Sequence, residues 1–199
     1  MKNIIFFSSR NKIIDKIIYF LIILLPLSLI TGPLLSEISV LIITILFLYT
    51  SIKNKLFFYY TNTFSKFFGI FFLILIVTSL FSVDPLISLS KTIFYFRFWI
   101  LSLSVWYILD KEQSIYKHLI ISFSLCFVIL IFDGYIQFFF KENLLGWPID
   151  GSRISSFFKD ELILGSYLSR LLPLLFALLI YNQSFNKNIL LYSLFLIIF

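Results

Sequence analysis

The 199-residue chain has one Ala, one Cys, one His and one Met, and charged residues make up only 13% of it. Each shortage excludes something. The lone Cys126 lies in an apolar run, so no disulfide framework can hold the fold, and a buried thiol is expected. His118 is the only imidazole, and no His, Cys or carboxylate cluster has metal-ligand spacing, so neither a metal nor another cofactor is expected. No phosphate-binding glycine loop, dinucleotide fingerprint or nucleophile elbow is present, which leaves the common nucleotide-dependent and acyl-transfer classes without a motif. With so little Ala, the close helix contacts that small residues make in membranes must fall largely to Ser. A soluble domain of this length does not carry so little charge.

Apolar residues make up 60% of the chain, 27 residues are Phe, and the mean hydropathy is +1.03. Several runs reach the ~20 residues needed to cross ~30 Å of hydrocarbon. Spans are expected over 13–30, 34–51, 67–83, 92–109, 118–132 and 161–180, with a further apolar run from Ile189. Thr31-Gly32-Pro33 marks a tight turn, and Asp84-Pro85 stops the third span. The expected fold is all-α: a polytopic transmembrane bundle of about six spans plus the start of a seventh, in one domain over 1–199. Lys2, Arg10 and Lys12 precede the first run as in a signal peptide, but no small-x-small cleavage site follows, so an uncleaved first helix is expected. The last run, ILLYSLFLIIF, crosses only about half of the hydrocarbon at ~1.5 Å per residue, which suggests the N-terminal part of a longer protein.

The net charge of +6 belongs to membrane orientation rather than to nucleic acid, because the Lys residues fall in loops between apolar runs. Counted over alternate loops, ten Lys or Arg lie on the side of the N-terminus and four on the other. That asymmetry places the N-terminus in the cytoplasm and the 133–160 connection outside.

The polar residues concentrate in 133–173, DGYIQFFFKENLLGWPIDGSRISSFFKDELILGSYLSRLLP. Arg153 stands just ahead of the sixth span, where a guanidinium can grip a phosphate at headgroup depth; the alternative is pairing with Asp150, Asp160 or a lipid. Arg170 is nine residues past Glu161, roughly 14 Å into that span, beside the kink expected at Pro173. An Arg at that depth normally faces a bundle interior or a wet cavity, or is satisfied by a carboxylate. Arg97 sits on the outer half of the fourth span, where snorkelling explains it better than a site does. Asp133 and Gln137, one turn apart, can bond a sugar hydroxyl or an arginine, or Asp133 can mark a helix end. Trp147 suits an interfacial anchor or a sugar-stacking ring, and Asp160 and Glu161 suit the positive end of a helix.

RISSFFKDELILGSYLSRLLP, with the preceding DGYIQFFF, resembles the bacterial O-antigen ligase and O-antigen polymerase family, whose members carry an outward Arg in an R-x-S/T-G-x-F pattern followed by a helix with a Pro. The resemblance covers roughly 70–181 and departs where Ser156 stands at the Gly of that pattern and Lys159-Asp160-Glu161 replace an Asn-containing segment. It implies an inner-membrane glycosyltransferase that moves glycan from a polyprenyl diphosphate carrier to lipid A-core or a growing polysaccharide, at the periplasmic face. It further implies that no metal or cofactor takes part, and Arg153 matches its outward Arg. On the chemistry of the residues, Arg153 and Arg170 are expected to bind the donor diphosphate, with Arg97, Asp133 and Gln137 as further possibilities. The base would be a His in a periplasmic loop beyond this chain. The competing expectation is a non-enzymatic carrier or flippase-like subunit for an anionic lipid or glycan.

Overall fold

The computed structural model describes residues 12–149, 153–158 and 163–181, all of which are helix, turn or loop. The helices are α1 (Lys12–Thr31), α2 (Pro33–Asn54), α3 (Thr63–Leu80), α4 (Pro85–Phe94), α5 (Phe96–Lys111), α6 (Ile115–Phe140) and α7 (Leu164–Tyr181). With α4 and α5 taken as one segment, six stretches are long and apolar enough to cross a membrane. The chain is therefore an all-α, multi-pass membrane protein. The run from Ile189, like Asp150, Asp160 and Glu161, lies outside the described residues.

Local chemistry sets the helix ends. Gly32, at φ +124°, makes the turn that only a residue without Cβ adopts freely, and Pro33 then opens α2, where its missing N–H costs nothing. Lys55 ends α2 in the left-handed region at φ 51°, and the Leu56 N–H reaches back to the Ser51 carbonyl at 3.0 Å, closing a Schellman cap. Asn62 caps α3 by accepting the Ser65 N–H at 2.7 Å. α3 ends at Leu80, ahead of the expected 83, and Pro85 begins α4, so the fourth span starts seven residues ahead of the expected Thr92 and breaks at Tyr95. At the other end of the chain, α7 opens at Leu164 rather than Glu161, and α6 runs through Asp133 to Phe140.

The contacts divide the chain into two compact units. One holds the first half of α1, α2 from Glu37, and α3 to α5. Here Ser takes the small-residue role: the Ser79 and Thr92 hydroxyls join α3 to α4, and Ser82 donates to Ser88 at 2.8 Å. Trp99 stacks on Phe68 with 5.9 Å between ring centroids and donates its indole N–H to Ser65 at 3.1 Å. A 3-10 turn at Phe57–Tyr60 leaves Phe57 and Phe58 exposed and buries Tyr59, which donates to Asp110 at 3.1 Å. Burial, reinforced by that carboxylate, pushes the Tyr59 phenol well above its ordinary range, so it stays a donor at physiological pH. Asp15 of α1, a buried carboxylate, accepts the Tyr107 hydroxyl at 3.1 Å and pairs with Lys111.

The other unit holds the second half of α1, the first residues of α2, α6, α7 and the loop between these last two. Its centre is Ile30, Cys126 and Leu130, flanked by Leu27, Phe157, Phe158, Leu164, Tyr167 and Leu168. Helix carbonyls of α1 near Pro26 accept three side-chain donors: Ser122 bonds Ile23 at 2.6 Å, and Cys126 and Tyr167 bond Pro26 at 3.4 and 3.0 Å. Cys126 is thus a buried structural thiol.

Asp15→Ala removes the acceptor of the buried Tyr107 hydroxyl and the carboxylate that pairs with Lys111. The expected cost is about 3 kcal/mol, read by chemical unfolding in mild detergent; a loss below about 1 kcal/mol contradicts this.

Candidate functional site

Asp133 and Gln137 are four residues apart on α6, hence on one face, and neither has any solvent exposure. Their partners come from the chain that follows. Lys141 ends α6 in the left-handed region at φ 66°, and the backbone reverses through a small loop in which Ile149 N–H bonds Lys141 O at 2.9 Å. Asn143 organises the turn: its side-chain oxygen accepts the Leu145 and Trp147 N–H groups at 3.0 and 2.8 Å, and Gly146 completes the bend at φ +78°.

The loop then docks on the two buried α6 side chains. Asp133 accepts the Leu144 N–H at 2.9 Å and the Ser156 hydroxyl at 2.6 Å. The Gln137 carbonyl oxygen accepts the Ser155 and Ser156 N–H groups at 3.0 and 2.8 Å, while its amide donates to the Ser155 hydroxyl at 3.3 Å. Asn143 ties the two arms of the loop together by donating to the Ser156 carbonyl at 3.0 Å. Asp133 therefore does not end a helix. It and Gln137 are committed to holding the loop, with their polar atoms turned to loop backbone and serines.

Ser156 sits at φ 52°, the left-handed region that favours Gly, and it occupies the position where the R-x-S/T-G-x-F pattern has Gly. The hydroxyl of Ser156 holds this bend through its bond to Asp133, which a Gly could not make. Sequence reasoning missed Asn143, Ser155 and Ser156 as members of this network. The usable signals were Asn143 three residues before Gly146, and a Ser in a Gly position.

The arginines are placed differently. Arg153 is exposed on the docked loop, next to Ile154. Arg170 is exposed on α7, six residues after its start, about 9 Å along the axis rather than 14 Å, because the helix begins at Leu164. That is within reach of the helix end for a long side chain. Pro173 lies inside α7, as expected. No described carboxylate pairs with either residue. Arg97 belongs to the other unit, where it pairs with Glu37 and lies over the Phe98 ring.

Between α6 and α7 runs an apolar groove of about 560 Å³. Leu130, Gly134 and Phe138 form one wall, Leu164, Leu168 and Leu172 the other, and Ile154 of the docked loop closes one side. The loop and α7 both pack over Gly134, where a Cβ would meet Ile154 at 3.5 Å and Leu164 at 3.6 Å, ordinary contact distances. Ser169 also lines the groove, so each exposed arginine is the chain neighbour of a groove residue. Trp147 lines a second apolar pocket, with Leu145, Phe157 and Ile30. His118 is at the opposite end of α6, about 22 Å from Asp133. Among the described residues no group of His, Cys, Asp and Glu could hold a metal.

Compared with known proteins, the chain matches no family model, no curated protein and no solved structure.

Two substitutions test the loop geometry. Ser156→Ala keeps the strained φ and loses the Asp133 bond, whereas Ser156→Gly loses only the bond. The glycine variant should be the more stable of the two by about 1 kcal/mol, and the reverse order contradicts a left-handed Ser156. Asp133→Ala should free the loop, so that trypsin cuts after Arg153 at least tenfold faster than in the parent chain, since local opening exposes the bond.

Proposed function

We propose that the chain is part of an O-antigen ligase-like glycosyltransferase of the bacterial inner membrane, acting on a polyprenyl diphosphate-linked glycan at the periplasmic face. On this reading the N-terminus is cytoplasmic, and the α6–α7 loop faces the periplasm. The ten-to-four bias of Lys and Arg between alternate loops supports that orientation. The observation that carries the proposal is the pairing of an apolar groove with a cation held beside it on a loop fixed from below. A lipid-linked diphosphate has this composition in mirror image, a long apolar tail under a doubly charged head.

Each residue then has a chemical part. The groove takes the isoprenoid tail. Arg153, whose guanidinium stays charged and fork-shaped, takes the diphosphate, and Arg170 reaches the same depth from α7. When the glycosidic bond to the diphosphate breaks, negative charge grows on the leaving oxygen, and a guanidinium already in place stabilises it without reorganising. Asp133, Gln137, Asn143 and Ser156 are positioning residues that keep the Arg153 loop from moving. The acceptor, lipid A-core or a growing polysaccharide, needs a general base, and no residue of this chain is assigned to that step.

In cells that assemble the surface polysaccharide, Arg153→Ala should reduce glycan attachment by about 10²–10³-fold, and Arg153→Lys should restore only part of it. Polyprenyl-linked glycan should accumulate on the periplasmic side. Accumulation on the cytoplasmic side instead supports a carrier or flippase-like subunit, and unchanged attachment in Arg153→Ala and Arg170→Ala removes the donor-binding role altogether.

A further inference from the structure

In the unit that holds α2 to α5, the start of α1 and the end of α5 enclose a cleft of about 330 Å³. Lys12, Asp15, Lys16 and Tyr19 line it from α1, and Lys111 and Glu112 from α5. Three ammonium groups against two carboxylates leave the cleft one positive charge in excess. Asp15 is 8% exposed and already committed, to the Tyr107 hydroxyl at 3.1 Å and to Lys111. Lys12 and Lys16 are exposed, one turn apart on the same face, and no described carboxylate pairs with either. Like charges at this spacing repel, so an anion between them is favoured. The positive end of the α1 dipole adds to the same field.

A second feature says what kind of anion fits. Ile13, Ile17 and Phe20 are 76%, 42% and 61% exposed and form an apolar stripe along α1 beside the two lysines. Cations set beside an apolar stripe that runs on past them to Phe20 match a phosphate carrying acyl chains, and the cleft is larger than a free phosphate needs. We propose that this cleft binds an anionic phospholipid, with Lys12 and Lys16 on its phosphate and the Ile13–Ile17–Phe20 stripe against an acyl chain. The site is independent of the donor groove and of the glycosyltransferase reading.

The test is thermal unfolding of the full chain in mild detergent with added phosphatidylglycerol, phosphatidylcholine or inorganic phosphate. Phosphatidylglycerol alone should raise Tm. The double variant Lys12→Gln, Lys16→Gln should keep its Tm in detergent and weaken the apparent phosphatidylglycerol affinity by roughly thirtyfold, the loss of two surface Lys contacts. Lys12→Arg with Lys16→Arg should retain the shift. The proposal is overturned if phosphatidylcholine stabilises equally, if the double Gln variant responds like the parent, or if inorganic phosphate reproduces the effect.

Discussion

A carboxylate and a carboxamide with no solvent exposure, near the end of a membrane-spanning helix, must be satisfied by protein or cost several kcal/mol. In this chain that constraint acts on Asp133 and Gln137 of α6, and the loop that follows supplies the partners. The order of dependence runs from those two residues outward. Without them the described loop residues, 141–149 and 153–158, lose their polar anchor and keep only apolar contacts such as those of Phe157 and Phe158, so Ile154 at the groove and Arg153 beside it are less firmly placed. The network rests on a few side-chain hydrogen bonds, and truncating one partner leaves buried polar atoms stranded, so its members are strongly coupled.

The site that results combines two chemistries that water alone would separate. The groove between α6 and α7 is walled almost entirely by aliphatic and aromatic groups, and the exposed arginines flank it one residue away on loop and helix. Gly134 lies where the loop and α7 both pack on α6, and Pro173 lies in α7 three residues past Arg170. Arg97, by contrast, lies twelve residues into a span that opens at Pro85 and has a carboxylate partner in Glu37, so a structural pair replaces the snorkelling expected of it.

Much of the architecture was legible in the residues. Apolar run length alone placed the six membrane-spanning segments, and the shortage of Ala pointed to the Ser contacts seen between α3 and α4. The helix ends around the site were harder. Asp133 reads as a stop because a carboxylate is costly in hydrocarbon, and only the tertiary network shows that the helix carries it inside for another turn and beyond. Likewise, nothing in SRISSFF announces that Ser156 has a left-handed backbone, since φ at a single Ser is decided by the bonds it makes elsewhere. The depth of Arg170 was misjudged for a related reason: the helix start was set at a carboxylate pair, whereas α7 opens at Leu164.

The measurement that bears most directly on the central claim is photo-crosslinking from the groove. With a photoreactive amino acid at Leu168 in cells that make the polyprenyl-linked glycan, irradiation should yield an adduct carrying isoprenoid, diphosphate and sugar, and Arg153→Ala should largely abolish it. An adduct pattern consisting only of ordinary phospholipids, or a glycolipid adduct indifferent to Arg153→Ala, would contradict the account.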